Sequence, residues 1–186
     1  MSKEISSEVL KEFSNKSRCN MGNWSEQDET MINNQINVEL NAFHFYNFLY
    51  GYFSSDSVGF TGIAKYFKKS ADEELEHSRK FMEYQNIRGG RVEVRNIEKP
   101  NVIFDFNCSK SILYQAINYA LEAEQKVYKS ILNISKNTED TALEDFLDDF
   151  LKEQLEAQYD LGLKLKQLEI IGNDGYGLLQ FDKDLN

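Results

Sequence analysis

Four stretches of the chain carry apolar side chains at alternating three- and four-residue intervals, and each is interrupted by a polar group near its middle. In the first, Ile32, Ile36, Phe43, Tyr46, Tyr50 and Phe53 surround Glu39; in the second, Ile63, Phe67, Phe81 and Tyr84 surround Ser70, Glu74 and His77. The third sets Leu113, Ile117, Ala120, Val127, Ile131 and Ile134 around Glu124, and the fourth sets Leu143, Leu147, Phe150, Ala157 and Leu161 around Gln154. That spacing keeps each set on one helical face, so the pattern predicts helices that bury their stripes against one another. Burying one unpaired carboxylate costs several kcal/mol, and three close together add like-charge repulsion. Cations are the obvious compensation.

The boundaries are readable from caps and breakers. Ser25 and Asp28 form a start signal for a helix over about 27–55, and Gly89-Gly90 ends a second over about 61–88. Ser109 or Ser111 caps a third running to about Lys136, and the turn Asn137-Thr138-Glu139-Asp140 leads into a fourth ending near Ile171. Short turns make helices one and two, and three and four, antiparallel hairpins. The long connection between the second and third is able to run the length of a bundle. It holds the only proline, and the alternation in Val92-Glu93-Val94-Arg95 leaves room for a short strand. The expected fold is all-α: a four-helix bundle with one long crossover, the connectivity of ferritin-like folds, plus a short fifth helix within Tyr176–Leu185.

Composition narrows the alternatives. One proline and ten glycines provide too little turn chemistry for an all-β sandwich. A length of 186 residues suits one core, and a net charge of -10 excludes a nucleic-acid partner as the first choice while favouring cations. No apolar run approaches the roughly 18 residues of a membrane span, so no membrane partner is expected. Two cysteines, Cys19 and Cys108, fit a reducing compartment, and Glu4, Glu8 and Glu12 argue against an organelle transit peptide. The expected location is the cytoplasm. The N-x-[ST] sequons at Asn15, Asn23, Asn107 and Asn133 are read as chance. Residues 1–26 read as a polar extension, in which Ile5, Val9, Leu10 and Phe13 make a short amphipathic helix, and residues 27–186 as the domain.

Three carboxylates and one imidazole suit two divalent irons, since carboxylate oxygens are hard donors and imidazole is borderline. Glu74-x-x-His77 puts both groups on one helical face, with Glu74 placed to bridge two ions. A single glutamate on a helical stripe is usually a solvated flank residue; the four coincidences at one depth are what count. His44, five residues after Glu39, points about 140° away and is read as a surface or packing residue. Glu122 lies off its stripe.

Several segments resemble those of eukaryotic ferritins of the heavy-chain type: Asn34-Gln35-Ile36-Asn37-Val38-Glu39-Leu40, Ala64-Lys65-Tyr66-Phe67, Glu73-Glu74-Leu75-Glu76-His77, Gln85-Asn86-Ile87-Arg88-Gly89-Gly90-Arg91-Val92 and Phe181-Asp182-Lys183. The resemblance covers about residues 27–186. It implies that Glu39 and His77 are terminal ligands of a first iron, Glu74 the bridge and Glu124 the ligand of a second, with Tyr46 and Gln154 hydrogen-bonding around them. It implies a 24-subunit shell, possible mixing with another ferritin subunit, oxidation of Fe(II) by O2 or H2O2, and ferric mineral stored inside. Glu73 and Glu76 resemble carboxylates that receive Fe(III), although Arg79 stands where a third acid is common. Asp145 and Asp148 match the family's channel motif, with Glu144 or Asp149 as alternatives because the interval to Gln154 is one residue short. The chain also departs from the family by an insertion near Phe104 to Cys108 and a shortened tail.

The fourth stripe offers Gln154 and no second E-x-x-H, so the second iron is expected to leave after oxidation, as storage requires. Two other readings stay open on these residues. One is a shell of the same family, structural or chaperone-like, that stores no iron; the other is a di-iron peroxidase or oxygenase.

Overall fold

A computed structural model of the protein describes residues 24–93 and 95–185. The extension through residue 23, with its expected amphipathic helix at Ile5, Val9, Leu10 and Phe13, lies outside the described residues, as do Cys19 and Val94. Helix α1, Glu26–Phe53, starts where Ser25 Oγ accepts the Asp28 N–H at 3.0 Å. The first described residue, Trp24, is buried, with Arg88 over its ring and the edge of Tyr84 against it.

Helix α2 is Thr61–Ile87. Gly89, at φ 82°, donates to Asn86 O and Gly90 to Gln85 O, so the two glycines close the helix in a Schellman motif. Gly90 has a second constraint: a Cβ there would sit 2.7 to 2.8 Å from the Gln85 amide and the Trp24 indole. At its other end α2 has no side-chain cap from Phe60. Asp182 supplies it from far along the chain, accepting Gly62 N–H at 3.1 Å and Ile63 N–H at 2.8 Å.

Helix α3 is Ile112–Asn137 and α4 is Thr141–Ile171. Of the two candidate caps of α3, Ser111 is the one used, accepting Tyr114 N–H at 3.2 Å. Asp140 caps α4 and pairs with the buried Arg88 at the end of α2, which holds the Asp140 carboxyl below the usual range. Helix α5, Gly175–Asp184, packs against α2 and α4. As the short turns require, α1 lies along α2 and α3 along α4, while α1 also meets α3.

The crossover contains no strand among the described residues. The polar groups of two α1 side chains replace a strand partner. Asn33 donates to Arg91 O at 2.8 Å and accepts Glu93 N–H at 2.9 Å, and Asn41 accepts Glu98 N–H at 2.7 Å. Phe104 then stacks on Tyr52, with centroids 4.5 Å apart.

The core is split. One apolar cluster, with Leu49, Phe53, Ile63, Phe67, Ile117 and Leu161, lies toward α5; another, with Ile32, Ile36, Phe81, Ile131, Leu143 and Leu147, lies toward Trp24. Between them the four stripes carry their polar members in one layer. No helix among the described residues is long and apolar enough to cross a membrane.

Candidate metal centre

Each wall of that layer comes from a different helix. Glu39 on α1 is fully buried, Glu74 on α2 and Glu124 on α3 are 3% and 5% exposed, and Gln154 on α4 is 3% exposed. One ligand atom from each of Glu39, Glu74 and His77 lies within 4.8 Å of the others, close enough to share one ion. His77, one turn beyond Glu74, has Nδ1 3.6 Å from Glu74 Oε2, while its Nε2 lies 3.1 Å from Glu153 Oε2. Across the layer Tyr46 donates its hydroxyl hydrogen to Glu124 Oε1.

Four buried oxygens in this layer have no hydrogen-bond partner: Glu39 Oε2, Glu74 Oε2, Glu124 Oε2 and Gln154 Oε1. A buried oxygen left without a partner is costly, and four of them in one layer form a donor set fitted to cations. All are oxygen donors and the adjoining imidazole is borderline, which suits iron better than a soft thiolate-seeking metal.

The electrostatics agree. Burial raises the Glu39 carboxyl well above the usual range, and the Glu74 charge adds to it. Burial, then the Glu124 charge, pushes Glu74 up to about 8. Burial also raises Glu124, with Tyr46 and Gln154 opposing by hydrogen bonding. Burial and the Glu124 charge keep Tyr46 a neutral phenol. Burial thus favours the protonated forms in the layer, and a cation held there would displace those protons.

The remaining predicted residues stand apart. Glu73 and Glu76 are exposed on α2, beside a cleft of about 530 Å³ that opens to His77, Glu74 and Glu124 and is also lined by Glu153, Glu156 and Asp160. Each is ion-paired along the helix, Glu73 with Lys69 and Glu76 with Lys80, both at 3.2 Å. Asp145 and Asp148, like Glu144 and Asp149, are exposed on the first turns of α4 and make no part of the buried layer. His44 and Glu122 are also exposed and outside it.

Three contributors escape a reading of the sequence. Glu153 sits beside Gln154 and reaches His77 from the cleft. Gln35 donates to Glu39, and Ser130 in turn donates to Gln35. The only signals were position: Glu153 adjoins a stripe residue, and Gln35 lies one turn before Glu39.

The ferritin-like domain family matches residues 29–171. The chain is similar to "Ferritin-1, chloroplastic" of Brassica napus, 40% identical over 166 residues covering 87% of this chain and 65% of that protein. It is 42% identical to "Ferritin-2, chloroplastic" of Zea mays over 161 residues, 84% of this chain and 64% of that one. "Ferritin-3, chloroplastic" of Vigna unguiculata is 38% identical over 167 residues, 88% and 64% respectively. The chain thus spans about 65% of the length of these relatives. The expected cytoplasmic location is overturned, since these relatives are chloroplastic by name. Two cysteines fit any compartment that keeps thiols reduced, and so never singled out the cytoplasm.

Proposed function

We propose, since this chain belongs to the ferritin family, that it is an iron-storage subunit which oxidises Fe(II) at the buried polar layer and stores the product as ferric mineral within a multi-subunit shell. The four unpartnered buried oxygens carry this reading, because a stored-iron shell without an oxidation site has no use for them. Iron is the substrate here. Glu39 and His77 hold the first Fe(II), Glu74 bridges, and Glu124 holds the second. Gln154 Oε1 and the Tyr46 hydroxyl face the space beside that pair. Each Fe(II) gives one electron to the oxidant, so two Fe(II), one O2 and two protons yield two Fe(III) and one H2O2. H2O2 is a second oxidant, reduced to water by a further two Fe(II).

The second iron has Glu124 and no histidine, so it is held less firmly and departs as Fe(III). Glu73 and Glu76, beside the cleft, receive it. Their pairing with Lys69 and Lys80, and Arg79 one turn on, make that handover weaker than three free acids would. Asp145 and Asp148 line the entry route for Fe(II). The container is a shell of 24 copies, alone or mixed with another ferritin subunit. The iron-handling domain takes in the expected residues 27–186 together with Trp24 to Glu26, since Trp24 is buried in its core and Glu26 opens α1. A chloroplast location follows from the same kinship.

Aerobic addition of Fe(II), with particle size and iron content measured afterwards, tests oxidation and storage together. Glu74→Ala and His77→Ala are expected to slow initial oxidation by about tenfold or more. Wild-type rates in both variants would sink the reading.

A further inference from the structure

Gln35 on α1 is wholly buried, one turn before Glu39, and Ser130 on α3 reaches it across the helix interface. Gln35 Nε2 donates to Glu39 Oε1 at 2.6 Å, and Ser130 Oγ donates to Gln35 Oε1 at 2.5 Å. We propose that Gln35 and Ser130 are positioning residues which fix Glu39 as a one-oxygen ligand of iron, a role that rests on the iron-oxidising reading above.

The chain of bonds has one polarity. With a cation bound Glu39 is an ionised carboxylate, which only accepts, so the amide then turns its NH2 toward Glu39 and its oxygen away. The oxygen that then faces α3 needs a donor, and the Ser130 hydroxyl is that donor. A mid-helix serine commonly returns its hydrogen to the carbonyl one turn back; Ser130 sends it to another helix instead. Without Ser130 the amide oxygen facing α3 loses its donor and only the Glu39 bond holds the orientation, whereas the flipped amide would present oxygen to oxygen at Glu39.

The consequence for the site is in the two oxygens of Glu39. Oε1 is occupied by Gln35, and Oε2 is the one left without a partner in the polar layer. An ion therefore meets a single oxygen held at a fixed angle. If Oε1 is released, both oxygens turn to the ion and the carboxylate chelates it. Chelation fills a coordination position that the oxidant needs. Partners of ligands commonly control orientation in this way.

The test compares Gln35→Leu, Ser130→Val, Ser130→Thr and the Gln35→Leu/Ser130→Val double variant in the assembled protein. Threonine keeps the hydroxyl and valine has nearly the same shape without it, so that pair isolates the hydrogen bond from packing. Two readouts are taken: the ligand-field absorption of bound Co(II), which reports coordination number, and the initial rate of Fe(II) oxidation. Gln35→Leu and Ser130→Val are expected to change the Co(II) spectrum at unchanged stoichiometry and to slow oxidation by about tenfold. Ser130→Thr should match the wild type, and the double variant should be no slower than Gln35→Leu alone, because Ser130 acts through Gln35.

A Ser130→Val protein with the wild-type spectrum and rate overturns the proposal, as does a Ser130→Thr protein as impaired as Ser130→Val. Should Gln35→Leu not fold, the Ser130 pair decides alone. A wild-type protein that neither binds Co(II) in the layer nor oxidises Fe(II) overturns the functional reading and this inference together. Unaffected variants in a working protein overturn this inference only.

Discussion

Glu39, Glu74 and Glu124 keep their protons at pH values where an exposed glutamate has lost them, because each is buried. A raised folded-state value means that, between the unfolded and folded values, the native chain binds more protons than the unfolded one, so stability falls as pH rises. The window runs from the ordinary glutamate value, about 4.5, up through about 8 for Glu74. Asp140, held low by Arg88, has the opposite sign, but its contribution is lost below that window. Metal-free protein in chelator is therefore expected to melt highest near pH 5 and progressively lower toward pH 8, and Glu39→Gln should flatten the slope. Melting curves at four pH values check this; a flat wild-type profile contradicts it. These glutamates were legible in the sequence because a carboxylate on an apolar stripe is anomalous. Gln35 and Ser130 were not, because polar residues on the shoulder of a stripe are ordinary and only the approach of α1 to α3 gives them meaning. Trp24 escaped for another reason: a lone aromatic among polar neighbours has no periodicity to betray its contact with Arg88 and Tyr84.

At the scale of helices, the chain's breakers and caps act where the sequence placed them, and α1 to α4 begin and end within a few residues of the expected points. Ser25, Ser111 and the two glycines after α2 suffice for that, since each works through bonds to its own neighbours. The crossover was not legible, because whether alternating residues form a strand depends on what lies beside them, and here Asn33 and Asn41 take the partner's place. Two glycines have opposite expected effects according to their surroundings. Gly162, mid-α4 with open space around it, should gain about 0.5–1 kcal/mol as Gly162→Ala. Gly90→Ala should lose about 1–3 kcal/mol, because its new methyl meets Gln85 and Trp24. Asp182→Ala should lose about 1–2 kcal/mol by leaving two α2 amides unpaired. Denaturant midpoints measured at constant slope separate these cases.

Among the described residues the polar layer accompanies an apolar interior that falls into two clusters. A cation in the layer binds the folded chain and not the unfolded one, so it stabilises both clusters at once. At a free concentration 100 times its dissociation constant, an ion adds about 2.7 kcal/mol. For a domain of this size that is a rise of about 5–10 °C in Tm. Calorimetry with Co(II) and then with excess chelator should show the rise and its reversal, while Glu74→Ala should show little of either.

The bond from Asp182 to the start of α2 also sets a clock on the chain's synthesis. The amides of Gly62 and Ile63 are made about 120 residues before the carboxylate that satisfies them. At 5–20 residues per second, a ribosome needs on the order of 10 s to cover that interval. During it a nascent α2 carries an uncapped end, and its apolar stripe has only α1 to rest on until α3 and α4 emerge. Helix α5 thus completes α2, whose first turn stays uncapped until Asp182 has been made.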